Sequence, residues 1–215
     1  MLKKTLPFLG YGIVIVLVFG PVLFPGTNQL IFGDDIHRVW YFYRQFFNDW
    51  LRQGIFPWWN PYNFSGAPFI ANPQVNIWYP VNWLFVVLPL PLAYSWHIAF
   101  HVFFAMCGMY ILLMSLNSKF EIRNSKLSSW VGGVVFGLSG FFMARVWAGH
   151  VDVIAAASWM PWVFGLFWNL GTLTARPLRR GMVAAAGVFA LQLYAGYQTM
   201  AFFTVEAVGL ALIGQ

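Results

Sequence analysis

Residues 6–24, 94–116, 129–147 and 151–170 are four runs of about 20 mostly apolar residues, the length an α-helix needs to cross the hydrocarbon core of a bilayer. In lipid every backbone polar group must find its partner within the protein, so runs of this kind fold as helices. Two further runs, 182–197 and 200–215, continue the series, and the last stops with the sequence. The expectation is an all-α, polytopic membrane protein forming a single transmembrane domain over 1–215, the N-terminal part of a longer chain. Lys3 and Lys4 precede the first run and no small-x-small cleavage site follows it, so it reads as an uncleaved signal anchor. Pro161 interrupts the fourth run and requires a neighbour to satisfy the carbonyl it frees.

Composition agrees. Hydrophobic residues make up 60% of the chain and charged residues 8%, where a soluble domain carries about 25% charge. The net charge of +6 is not a nucleic-acid surface, because the basic residues are dispersed through short loops between the apolar runs. Lys3, Lys4, Lys119, Arg123, Lys126, Arg176, Arg179 and Arg180 fall on one side of the expected topology, and Arg38, Arg44, Arg52 and Arg145 on the other. The positive-inside rule places the first set, and the N-terminus, in the cytoplasm. Segment 25–93 is then an extracytoplasmic loop. The lone cysteine, Cys107, lies within an apolar run, which rules out a disulfide framework or a cysteine metal site.

The 25–93 loop has two parts. At about 100° per residue, 36–52 sorts into an apolar arc (Ile36, Val39, Trp40, Phe42, Tyr43, Phe46, Phe47, Trp50) and a polar one (His37, Arg38, Arg44, Gln45, Asn48, Asp49, Arg52). That division fits a helix lying in the membrane interface and equally a helix packed on protein. Residues 56–83 are broken by Pro57, Pro61, Pro68, Pro73 and Pro80, so this irregular backbone must rest on protein or in water. Trp58, Trp59, Trp78 and Tyr79, with Asn60, Asn63, Asn72, Gln74 and Asn76 between them, offer flat rings and amides of the kind that bind sugars. The competing reading is an aromatic belt at the interface. Gly33-Asp34-Asp35 precedes the helix. One carboxylate can cap its N-terminus; the second is free to act as a general base or to hold a divalent metal, magnesium or manganese.

The whole chain resembles the N-terminal part of YfhO-type bacterial membrane proteins, in the GT-C superfamily of polyprenyl-phosphate-sugar-dependent glycosyltransferases. The resemblance is carried by Gly33-Asp34-Asp35, by Phe56-Pro57-Trp58-Trp59-Asn60-Pro61, by Gly66-Ala67-Pro68 and by Trp78-Tyr79-Pro80. It continues through His101 with Gly108-Met109-Tyr110, Ser139-Gly140-Phe141 with Arg145, Gly149-His150 with Trp159-Met160-Pro161, and Ala195-Gly196-Tyr197-Gln198. It implies a bacterial cytoplasmic-membrane enzyme with its essential acid in the first outer loop, at Asp34 or Asp35. It also implies a second motif in the outer turn after the third helix, here His150-Val151-Asp152. Oligosaccharyltransferases of the superfamily carry carboxylates there, so a metal held by His150 and Asp152 departs from their pattern. The turn after the fifth helix reads Gly196-Tyr197 where the family has Gly-His.

Several other residues carry more than one reading. Arg145 closes the third run and can bind the phosphate of a lipid-linked donor or snorkel to head groups. His97 and His101, four apart, can ligate metal or form a packed, hydrogen-bonded pair. Gly133, Gly137 and Gly140 provide faces for close helix packing. Glu206, an intramembrane acid, reads as a functional group or as the hydrogen-bond partner of a neighbour such as Gln192. The function expected is transfer of a sugar from a polyprenyl-phosphate donor to a cell-envelope acceptor, with Asp34 and Asp35 catalytic and Arg145, His150, Trp58, Trp59 and Asn60 binding substrate. The alternative is a transporter, lipid flippase or assembly subunit.

Overall fold

The computed structural model describes residues 2–26, 29–119, 125–170 and 175–213. Of the basic residues that orient the chain, Arg123 lies outside the described residues, as do the side chains of Lys3, Lys4, Lys119 and Arg176. Helices α1 (Leu2–Leu23), α4 (Leu90–Lys119), α5 (Ser125–Gly137), α6 (Gly140–Ala148), α7 (Val151–Ser158), α8 (Met160–Leu170), α9 (Ala175–Tyr194) and α10 (Gln198–Ile213) form the bundle. Between α1 and α4 come a π-helical turn (Ile36–Trp40), α2 (Tyr41–Arg52) and a short α3 (Leu84–Val87). The sheet is one hairpin, β1 (Trp59–Asn60) antiparallel to β2 (Ala67–Pro68).

Four stretches are long and apolar enough to cross a membrane: Thr5–Leu23, Leu90–Asn117, Ser125–Ala148 and Val151–Leu170. They coincide with the first four runs expected. The fifth and sixth runs are helical as well; among the described residues neither has the length and hydropathy of a span. α10 has 16 residues, and α9 opens on Arg176, Arg179 and Arg180. Two of the spans are broken in ways the apolar pattern does not signal. Ser139 adopts an extended conformation between α5 and α6. α7 ends at Ser158, just before Pro161, which cannot donate to the carbonyl four residues earlier. Gln192 of α9 donates Nε2–H to the Ala156 carbonyl at 3.1 Å, so a neighbouring helix serves the backbone beside this break.

α4 is the central helix and packs against α1, α5, α7 and α8. Its Tyr94, Ile98, Val102, Ala105 and Met106 are fully buried. Two of the three expected glycine faces are close-packed, a Cβ at Gly137 lying 2.5 Å from Met106 Cγ and one at Gly133 2.8 Å from Met106 O, whereas Gly140 has nothing within 4 Å. Gly108, not among those expected, packs on Trp162, with a Cβ 2.5 Å from its Nε1. Ring contacts Phe24–Trp96 and Phe32–Trp147 gather the C-terminal ends of α1 and α6 and the start of α4 at one end of the bundle. At the other end Trp130 Nε1–H donates to Pro7 O, Asn117 bonds Ser129, and Ser115 bonds Asn169. The 25–93 segment therefore covers a single end, called the loop end below.

The helix at 36–52 is not the interfacial amphipathic helix that its two arcs allow; it is packed on protein. Arg44 and Asn48, from the polar arc, are buried, whereas Phe42, from the apolar arc, is 59% exposed. The reason is hydrogen bonding. Arg44 Nη1–H donates to Val75 O at 2.7 Å, its Nη2–H donates to Asn76 Oδ1, and its guanidinium lies 4.8 Å from the Phe85 ring centre. Asn48 Nδ2–H donates to Phe85 O at 2.7 Å. Phe47, beside them, packs with Phe69, Val75 and Ile77 in a small core of its own. The irregular segment thus rests on α2, which satisfies its carbonyls.

Candidate functional site

The loop end carries two polar groupings. The first joins the two acidic-motif regions singled out in the sequence. Gly33 and Gly149 touch backbone to backbone: a Cβ on Gly33 would lie 2.7 Å from Gly149 Cα, and one on Gly149 would lie 2.9 Å from Gly33 C. Gly149 also has a φ of +78°, which disfavours any residue with a Cβ. Only glycines permit this approach, and it brings Asp35 to His150, whose Nε2 lies 3.2 Å from Asp35 Oδ2. On the other side of the ring, Arg145 Nη1 lies 2.9 Å from His150 Nδ1. A guanidinium can only donate, so Nδ1 accepts and the proton of a neutral imidazole sits on Nε2, donating to Asp35. The result is a line of guanidinium, imidazole and carboxylate, running from the end of α6 across the α6–α7 turn to the start of the π-helical turn.

The two aspartates have separate tasks, and capping is neither's. Asp35 makes no cap hydrogen bond to the helix that follows it. Asp34 pairs with Arg38 at 2.8 Å, with both side chains largely exposed. Asp35 turns inward to His150 with its side chain still 40% exposed, so a substrate can reach it. Asp152 is buried in the first turn of α7, where its Oδ1 accepts from Val153 N at 2.9 Å, and it interacts through space with His150 and Asp35. Phe32 links this corner to the groove beside it: its ring lies 4.7 Å from that of Trp147, two residues after Arg145. Phe32, His37, Phe42, Leu30 and Pro91 belong to the walls of that open groove, of about 970 Å³.

Among the described residues, no group of three or more His, Cys, Asp and Glu side chains is placed to hold a metal ion. Both ring nitrogens of His150 are engaged, and one oxygen each of Asp35 and Asp152 is taken. As arranged, the corner does not fit the divalent metal considered from sequence. Trp58, Trp59 and Asn60 are not brought to it. The Trp58 ring is tilted against that of Phe56 at 4.8 Å, Trp59 packs over Gly66, and the buried Asn60 uses its Oδ1 to accept from Tyr62 N at 2.9 Å.

The second grouping is interior. Trp159 Nε1–H donates to Tyr79 OH at 2.8 Å, and Tyr79 OH in turn donates to His101 Nε2 at 2.8 Å. His101 Nδ1–H donates to the His97 carbonyl at 2.7 Å. His97 Nε2–H donates to Asn82 Oδ1 at 3.0 Å, and Asn82 Nδ2–H reaches Asn76, which also receives Arg44. Burial pushes the Tyr79 phenol up, so it stays a neutral donor. His97 and His101 are thus hydrogen-bonded core residues, one of the two readings of the pair, with the Nε2 partners of both rings supplied by the loop. Sequence reasoning counted Arg44 only as an outer charge and assigned no role to Asn82. Elsewhere, Glu206 is exposed, and Gln192 bonds Thr204 Oγ1 at 2.8 Å, so the expected Gln192–Glu206 pair is absent.

No protein-family model, curated protein or solved structure matches this chain.

Proposed function

We propose that the protein is a membrane glycosyltransferase that moves a sugar from a polyprenyl-phosphate donor to an extracytoplasmic cell-envelope acceptor, in the bacterial cytoplasmic membrane. The observation that carries this reading is the Asp35–His150–Arg145 line, a reachable carboxylate and a cation held by one imidazole beside an open groove. Acyl or phosphoryl hydrolysis would call for an activated nucleophile or a bound metal, and this corner favours neither. In-line displacement at an anomeric carbon needs a base on one side and a cation on the other.

In that step the acceptor hydroxyl oxygen bonds to the anomeric carbon and its proton passes to Asp35. The bond from that carbon to the phosphate oxygen breaks, and its electron pair leaves with the polyprenyl phosphate. Arg145, with Nη1 on His150, has its remaining N–H groups for the leaving phosphate. His150 holds both partners at fixed spacing. No step requires a metal.

The test is transfer of labelled sugar from polyprenyl-phosphate donors by membranes containing the protein. Arg145→Ala should raise the donor KM at least about 10-fold and leave the acceptor KM near normal, the pattern for a lost charge-assisted phosphate contact. No transfer by the unaltered protein from any lipid-linked donor, with lipid or solute movement detected instead, would favour a transporter. The outer location follows from the Lys/Arg distribution. With cysteines introduced as Asn63→Cys and Asn124→Cys, an impermeant thiol reagent should label the first from outside intact cells and spare the second. The reverse pattern would put the corner on the wrong side for this chemistry.

A further inference from the structure

Away from the Asp35–His150 corner, a smaller pocket opens where the irregular loop meets the α9–α10 turn. Its volume is about 270 Å³, and Asn72, Asn76, Trp78, Tyr194 and Gln198 are among its walls. Drug-sized ligands occupy roughly 300–1,000 Å³, so this pocket suits one small ring. Trp78 and Tyr194 are about half exposed, at 54% and 53%, and so keep ring surface free for a ligand. None of the described lining residues carries a charge. The side-chain amides of Asn72 and Gln198 add polar groups; Asn72 uses its Oδ1 for Gln74 N and keeps its Nδ2–H₂.

The pocket wall is also firmly held. Asn76 has φ 39° and ψ 42°, a left-handed conformation that asparagine tolerates better than other non-glycine residues. Arg44 and Asn82 both donate to its Oδ1, Asn82 donates to its carbonyl, and its own Nδ2–H donates to Ala195 O at 2.6 Å. The chain at Gly196 passes so close that a Cβ there would lie 2.5 Å from Asn76 Nδ2. These bonds hold the turn, and with it the pocket wall, in one geometry. From the cavity, the two exposed rings, the unused amides and the buttressed turn, we infer that this pocket binds a neutral saccharide, one pyranose ring against Trp78 or Tyr194 with its hydroxyls on Asn72 and Gln198. The pocket shares no residue with the Asp35–His150 corner, and its assignment stands without the transfer reading.

The test is titration calorimetry of the protein in nanodiscs with two probes, cellotetraose and chitotetraose. At least one should bind, and Trp78→Ala and Tyr194→Ala should each weaken it about 5- to 10-fold, the scale of a lost ring contact. Gln198→Ala should weaken it less. Because both rings are half exposed, the variants should fold as the unaltered protein does, and a thermal scan checks this. Asp35→Asn should bind the probe normally even where transfer is lost, which separates failure of the two assignments. Trp58→Ala, on an exposed ring outside the pocket, should also bind normally. Failure of both probes to bind, binding indifferent to Trp78→Ala and Tyr194→Ala, or binding lost equally in Trp58→Ala would each overturn the assignment.

Discussion

At the Asp35–His150–Arg145 corner the polar side chains are partly exposed and keep bonding capacity in reserve, whereas in the Arg44–Asn76–His97 interior they are buried and bonded to one another. The corner holds a carboxylate with a free oxygen and a guanidinium with free N–H groups, next to a groove. The interior holds two histidines, an arginine and two asparagines, most of whose bonds go to loop carbonyls and amides and to the His97 carbonyl; Arg44 Nε and His97 Nδ1 are buried without a hydrogen-bond partner. Residue type does not distinguish the two groupings; each has histidine and arginine. What separates them is whether a group's hydrogen bonds close inside the protein or remain available to something outside it. The interior locks the loop to the bundle, and the corner keeps open groups, which is why we place the proposed chemistry there.

The largest effect that could break this contrast is on stability. Arg44→Met removes two charged hydrogen bonds and leaves Val75 O and Asn76 Oδ1 buried without that donor, at a cost of about 3 kcal/mol or more. It should lower the thermal midpoint of the solubilised protein sharply; an unchanged midpoint would show the interior is not what anchors the loop. Tyr79→Phe comes next. It strips a partner from both Trp159 Nε1 and His101 Nε2, and should cost about 2 kcal/mol with no specific effect on donor or acceptor KM. Gly149→Ala places a Cβ against Gly33 in a left-handed turn. It should cut the transfer rate at least about 10-fold by parting His150 from Asp35, with helix content unchanged by circular dichroism. A rate equal to the unaltered protein's would mean the close approach is dispensable. The smallest effect expected is from chelation: EDTA should leave the rate unchanged, and a loss restored by magnesium or manganese would bring the metal reading back.

Much of the bundle was legible in the sequence, because a membrane span has one solution to its backbone hydrogen bonds and advertises it as about 20 apolar residues. The breaks at Ser139 and before Pro161 were harder to read, since hydropathy is blind to where a helix interrupts itself. The acidic residues of the corner were visible one by one; that Asp35 and His150 meet depends on Gly33 lying against Gly149, a contact between distant segments that neither stretch announces. Arg44 and Asn48 were misplaced for a related reason. Helical periodicity assumes that polar residues face water, but the carbonyls of a folded loop served them as well. The left-handed Asn76 is consistent with asparagine's tolerance of that region, yet nothing local singled it out from the other loop asparagines.

The central claim is that of two adjacent aspartates only Asp35 works on substrate, and it is tested most directly by comparing Asp35→Asn with Asp34→Asn in the transfer of labelled sugar from a polyprenyl-phosphate donor. Asparagine keeps the size and hydrogen-bonding capacity of the side chain and removes its charge and basicity. Asp35→Asn should lose roughly 10²-fold or more in rate, the scale of general-base assistance, with expression and thermal midpoint unchanged. Asp34→Asn loses only an exposed ion pair with Arg38 and should stay within about 2-fold of the unaltered rate. Equal activity in both variants, or a larger loss from Asp34→Asn, would contradict the account.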